Sequence, residues 1–250
     1  MNKYILLILG SLFASPNGKH VLNPYYDGTA VGLGLFTQIW SNEQLKNQTG
    51  IPNEAHFIWD KNWQGQKKDW AVNASNGISA AALALPIIDY LAFKQGYFSS
   101  DEYLSHWVML SQVLLWNSSL NLLSRSTSLW ARPETFYAES PNKNKDALGS
   151  FYSGHASTAF AMASYWSWIH VKMNPNTSNH ILFTSSLYLV ASSISVLRVV
   201  GGKHYPTDVL VGAVIGGFIG WFVPWLHWNE KQNLLKLQPI KNGLALRFAF

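Results

Sequence analysis

The chain has 250 residues and a mass of 28.0 kDa, with 48% hydrophobic and 12% charged residues. That balance excludes a disordered tail or a coiled coil and leaves an unusually apolar single domain or a membrane protein. A formal charge of +5 with no basic run favours anionic partners such as phosphates or acidic lipids over nucleic acid, and the absence of cysteine excludes disulfides and thiolate chemistry.

In chain order, Lys3 precedes an apolar run over residues 4–14, which Pro16, Asn17 and Gly18 then break. A short run of this kind reads as a secretory signal peptide over residues 1–14. Residues 15–75 form a mixed N-terminal region rich in Asn, Gln, Gly and Trp, with a helix expected over 29–40. Five apolar segments follow, at 76–94, 103–124, 154–172, 180–198 and 206–227, and short polar connections join several of them. Their order predicts an all-α helical bundle over 76–227. His106, Gln112, Asn117 and Asn121 in the second segment suit either the interior of a membrane bundle or a large soluble core, so both readings stand. The tail, 228–250, alternates apolar and polar residues on either side of Asn242-Gly243, which predicts a C-terminal β-hairpin.

Arginine is scarce. Three of the four, Arg125, Arg132 and Arg198, lie in or beside polar connections at helix ends, where a planar guanidinium suits an oxyanion, or merely caps a helix. Their neighbours point to the first role. Ser153-Gly154-His155 opens one predicted helix, and His204 and Asp208 flank the start of another. Helix N-termini offer free N–H groups and partial positive charge to a phosphate.

Three motifs stand in this order: Arg125, six residues, Arg132-Pro133; then Tyr152-Ser153-Gly154-His155; then Leu197-Arg198, five residues, His204, three residues, Asp208. In this the chain resembles the type 2 phosphatidic acid phosphatase superfamily, which includes vanadium haloperoxidases and bacterial acid phosphatases. The motifs cover 125–208. Arg125 stands where the family has Lys, Tyr152 where it has Pro and Leu197 where it has Ser.

The resemblance implies a helical-bundle phosphatase that needs no metal or cofactor. His204 would attack phosphorus, Asp208 would hold the other ring N–H, and His155 would protonate the leaving group. Arg125, Arg132 and Arg198, with Ser153 and Gly154, would bind the phosphoryl oxygens. The expected substrate is a phosphorylated small molecule or lipid. The expected place is a bacterial envelope, either membrane-associated with the site facing the periplasm or soluble in the periplasm. A vanadate-dependent haloperoxidase and a non-catalytic scaffold with a relic site are the alternatives. Oligomeric state is open. The remaining histidines, and Lys203 beside His204, are expected to be structural or surface groups.

Overall fold

The computed structural model describes residues 19–47, 57–96, 99–127, 130–137 and 149–229, and the backbone alone of 235–240 and 243–248. The expected signal peptide at 1–14 lies outside the described residues. Helix α1 spans Pro24–Asn47, α2 Ile58–Lys61, α3 Asp69–Ala82, α4 Leu85–Lys94 and α5 Ser100–Thr127. A 3-10 turn covers Pro133–Phe136. Then come α6, Gly154–Met173; α7, His180–Val200; and α8, Pro206–His227. All five apolar segments read from the sequence are helical, the first as α3 and α4 together. Helix α3 runs through the 75/76 boundary drawn between the N-terminal region and the bundle.

Local chemistry accounts for the helix ends. Asn23 caps α1 by accepting from the N–H groups of Tyr25 and Tyr26 at 3.1 and 3.4 Å. Ser99 and Glu102 form a reciprocal pair at the start of α5: Glu102 Oε2 accepts from Ser99 N at 2.9 Å, and Ser99 Oγ from Glu102 N at 3.3 Å. Pro206 occupies the first turn of α8, where its missing N–H costs nothing. Gly202, with φ of 73°, ends the turn after α7; a Cβ there would overlap the Gln66 carbonyl.

Helix α6 is the axis of the bundle. Ala161, Met162, Tyr165, Trp166 and Ile169 are buried with Met109 and Val113 of α5 and Ile219 and Val223 of α8. Its other side packs Ala159 and Ala163 on Ala191 and Ile194 of α7. Helices α6 and α8 approach most closely. Cβ atoms at Gly216 and Gly220 would overlap the carbonyls of Ser157 and Ala161, and one at Gly212 would lie 2.7 Å from Ser153 O. Small residues four apart let two backbones meet in this way.

Among the described residues, three helical stretches are long and apolar enough to cross a membrane: Asp69–Lys94, His180–Val200 and Pro206–His227. Only 11%, 17% and 39% of their apolar windows are buried, so Ile87, Ile181, Leu189, Val196, Leu210, Val214 and Phe218 face outward. That much exposed apolar helix surface fits hydrocarbon better than water.

Polar residues inside the bundle are paired at the end away from the motifs. Asp27 Oδ1 accepts from Gln112 Nε2 and pairs with His227 Nε2, both at 2.7 Å, joining α1, α5 and α8. His106 Nδ1 lies 3.1 Å from Asp89 Oδ1. These histidines are structural, as the sequence reading expected.

The structure supports an all-helical domain and does not support the expected C-terminal β-hairpin as part of it. The Leu235–Ile240 and Gly243–Phe248 backbones run antiparallel to each other, and Asn242 of the expected turn lies outside the described residues. Elsewhere, Lys19–His20 pairs with Trp228–Asn229 across the far end of the bundle.

Candidate active site

Alternating helices bring the three motifs to one end of the bundle. Arg125 lies in the last turn of α5, and Arg198 in the last turn of α7. Gly154 and His155 open α6, with Ser153 as its N-cap; Ser153 Oγ accepts from Ala156 N at 3.4 Å. Asp208 lies in the first turn of α8. Two helix N-termini, each carrying partial positive charge, therefore share this end with the arginines.

Backbone hydrogen bonds join the loops. Ser153 N donates to Asp208 O at 3.1 Å, Glu134 N to Gly202 O at 2.9 Å, and Ser150 N to Trp130 O at 2.9 Å. Asn121 Nδ2 donates to Tyr152 O at 2.7 Å, and Ser124 Oγ to Phe151 O at 3.2 Å. A Cβ at Gly149 would stand 3.0 Å from Arg125 Nε, so this strand of loop lies against the Arg125 side chain. Tyr152, standing where the family has Pro, is buried.

His204 is 3% exposed. Burial pushes its imidazole well below the usual histidine range, and the positive charges of Arg132 and Arg198, with His155, push the same way. The ring is therefore neutral and able to present a lone pair. Its Nδ1 lies 2.9 Å from Ser150 O. A carbonyl only accepts, so Nδ1 carries the proton and Nε2 carries the lone pair.

Asp208 is placed differently from expectation. Its Oδ2 is 3.6 Å from His204 Nδ1, beyond hydrogen-bond range. The same oxygen accepts from Ser150 Oγ at 2.5 Å and Tyr205 N at 2.9 Å.

The arginine of the third motif is held by residues the sequence reading missed. Arg198 Nη1 donates to Asn76 Oδ1 at 3.2 Å and Ser75 Oγ at 3.4 Å, both on α3. Trp59 Nε1 donates to Thr207 Oγ1 at 2.9 Å, and Thr207 N to Asp60 Oδ1 at 3.3 Å, at the start of α8. Lys203 is no free surface cation: its Nζ reaches both carboxylate oxygens of Glu134, at 2.6 and 2.7 Å. No motif marked these partners, because their roles arise only from packing. Among the described residues, no cluster of three His, Asp or Glu side chains is arranged to hold a metal ion.

The PAP2 superfamily model matches residues 105–232, which is half of the chain. The chain belongs to the PAP2 superfamily. Over 75 residues it is 35% identical to the phospholipid phosphatase homolog 1.2 homolog of Caenorhabditis elegans, covering 28% of this chain and 22% of that protein. Over 70 residues it is 34% identical to the lipid A 1-phosphatase of Porphyromonas gingivalis, covering 28% of this chain and 14% of that one. The matched part thus spans less than a quarter of either relative. A crystal structure of a transmembrane PAP2 type phosphatidylglycerolphosphate phosphatase from Bacillus subtilis superposes with a TM-score of 0.48 at 22% identity, over 78% of this chain and 93% of that one.

Of the motif residues of this PAP2 chain, Gly154 and His155 line an apolar cavity of about 300 Å³. Asn117, Asn121, Leu83, Met162 and Ile194 line it with them. A second cavity of about 280 Å³ shares Ala82, Ala159, Met162 and Ile194 and extends the space along α6 toward Leu187. A third, of about 830 Å³, lies on the other side of α5, beside Phe151 and Tyr152.

Proposed function

We propose that this chain is a metal-independent phosphatase of lipid-linked phosphate monoesters or diphosphates, working through a phosphohistidine. The observation that carries the reading is His204: buried, with Nδ1 on the Ser150 carbonyl, and with its pKa lowered by burial and by Arg132, Arg198 and His155. Nε2 of His204 attacks phosphorus, forming the N–P bond as the P–O bond to the leaving group breaks. His155 gives its proton to the departing oxygen, then takes one from the water that attacks the phosphohistidine. Water's oxygen ends on the released phosphate, and His204 regains its lone pair. Arg125, Arg132 and Arg198, with Ser153 Oγ and the N-terminus of α6, neutralise charge on the three equatorial oxygens.

The lipid part of the proposal rests on the apolar cavities below His155 and on the outward apolar faces of α3, α4, α7 and α8. Relatives named as a phospholipid phosphatase homolog and a lipid A 1-phosphatase support it. In this reading the bundle spans a bacterial envelope membrane with the motif end toward the periplasm. Residues 1–14 serve as a signal peptide.

The test is phosphate release by purified protein from an aryl phosphate, phosphatidic acid, phosphatidylglycerol phosphate, an isoprenoid diphosphate and lipid A, with His204→Ala alongside. Release from lipid substrates, absent in the variant and unchanged by EDTA, is expected. Release restored only by added metal would contradict the mechanism, and release confined to the aryl phosphate would contradict the lipid assignment.

A further inference from the structure

We infer that Ser150 is the residue through which Asp208 positions the nucleophile: its carbonyl holds His204 Nδ1–H while its hydroxyl holds the Asp208 carboxylate. The inference rests on the phosphohistidine reading and adds a residue to it.

Ser150 is fully buried. Each of its three polar groups is committed. The N–H donates to Trp130 O at 2.9 Å, beside the first motif. The carbonyl accepts from His204 Nδ1 at 2.9 Å, and the hydroxyl donates to Asp208 Oδ2 at 2.5 Å, both in the third motif. The residue itself stands three before Ser153, at the entrance to the second motif. One residue thus bonds to the first and third motifs and leads directly into the second.

The direct route from Asp208 to His204 is long. At 3.6 Å, Oδ2 is too far to accept from Nδ1. That oxygen already receives the Ser150 hydroxyl and the Tyr205 N–H. A hydroxyl donating to a carboxylate makes a short, charge-assisted bond. It fixes the peptide that carries the carbonyl, and so fixes the imidazole plane. When Nε2 bonds to phosphorus the ring becomes cationic. The Nδ1–H···O=C bond then strengthens, and the negative carboxylate one residue away stabilises the charge.

The charged or titratable groups facing His204 are Arg132, Arg198, His155 and Asp208. In Ser150→Ala the carbonyl remains but Asp208 loses its hydroxyl donor. Its carboxylate is then free to close on Nδ1, which favours the imidazolium and raises the pH at which His204 loses its proton.

The experiment compares wild type, Ser150→Ala and Ser150→Thr by phosphate release across pH, together with the 15N spectrum of histidine-labelled protein in detergent. Outer-shell partners that orient a functional histidine typically matter by about 10–100-fold, so kcat of Ser150→Ala is expected to fall by about that factor while KM holds. The acid limb of its kcat/KM profile is expected to move to higher pH. Threonine, which restores the hydroxyl, is expected to recover most of kcat and the wild-type limb. Wild-type His204 is expected as the Nδ1–H tautomer.

An Nε2–H tautomer in wild type would overturn the carbonyl contact. Wild-type kcat and an unmoved acid limb in Ser150→Ala would overturn the hydroxyl role, as would a threonine variant that folds and performs no better than alanine. If wild type releases no phosphate from any substrate, the phosphatase reading falls and the catalytic part of this inference with it. The spectrum then reports separately on whether Ser150 holds the ring.

Discussion

Lys203 and Glu134 form an ion pair, 2.6 Å from Nζ to Oε2, that ties the loop carrying His204 to the turn that follows Arg132. Glu134 N also donates to Gly202 O. The first and third motifs, about seventy residues apart in sequence, are thus joined by a side-chain pair and a backbone bond just outside the proposed catalytic groups. The pair is mostly but not fully buried, with Lys203 still 24% exposed, so a contribution of about 1 kcal/mol is expected rather than the larger cost of a fully buried charge. Lys203→Met should lower the unfolding midpoint modestly. The double variant Lys203→Met/Glu134→Leu should recover part of that loss, because it leaves no unpaired carboxylate. A thermal melt of the four proteins checks this; additive losses would show that the pair is not coupled.

His155 and His204 should be separable by leaving group. His155 matters in proportion to how much the departing oxygen needs a proton. His155→Ala should therefore lose on the order of 10²–10⁴ in kcat with an alkyl phosphate and much less with a nitrophenyl phosphate. His204→Ala should lose activity on both, because the nucleophile is gone. Equal losses for His155→Ala on the two substrates would argue against its role as general acid.

The helix crossing at Gly216 should tolerate no side chain. Gly216→Ala would place a Cβ into the Ser157 carbonyl, and Gly220→Ala one into the Ala161 carbonyl. Forcing the backbones apart costs about 1–3 kcal/mol for an overpacked core, and more when the clash is with main chain. Neighbouring Gly217 has room, since a Cβ there would stand 3.5 Å from Ser164 Oγ. Gly217→Ala should melt like wild type while Gly216→Ala melts markedly lower.

Acid should destabilise the fold through buried neutral histidines. Burial, with His106, His227 and Lys172 nearby, takes His20 down to about 3. His204 is lowered in the same direction. Between about 3 and the unfolded value near 6.5, the unfolded chain binds protons that the folded chain refuses. The stabilisation is therefore complete above pH 6.5 and is lost as pH falls below it. The melting temperature should drop on acidification from pH 7 to 4, and His20→Phe should flatten the slope. A midpoint independent of pH over that range would contradict the assignment.

Much of the proposed site is legible in the sequence because its chemistry would be carried by residue type at fixed spacing. Gly154 and His155 at a helix start, and His204 four residues before Asp208, place reacting groups through local geometry alone. The helices were legible because apolar runs of this length have few alternatives. The Gly212, Gly216 and Gly220 series was a signal present but unread; its four-residue spacing marks one face of a helix and foretold the close crossing with α6.

What only the tertiary structure decided is who holds what. The sequence gives a histidine and an aspartate at a spacing that lets them touch. It does not say that the Asp208 carboxylate turns to Ser150 and Tyr205, or that His204 takes a main-chain carbonyl instead. Every residue carries such a carbonyl, so no residue type announces it. Ser75 and Asn76 on Arg198, and Glu134 on Lys203, are alike in this. The sequence by itself determined the helices and the motifs they carry, and so the groups proposed to react. Differences of less than 1 Å, set by how loops from distant parts of the chain pack, determined which of them are hydrogen-bonded.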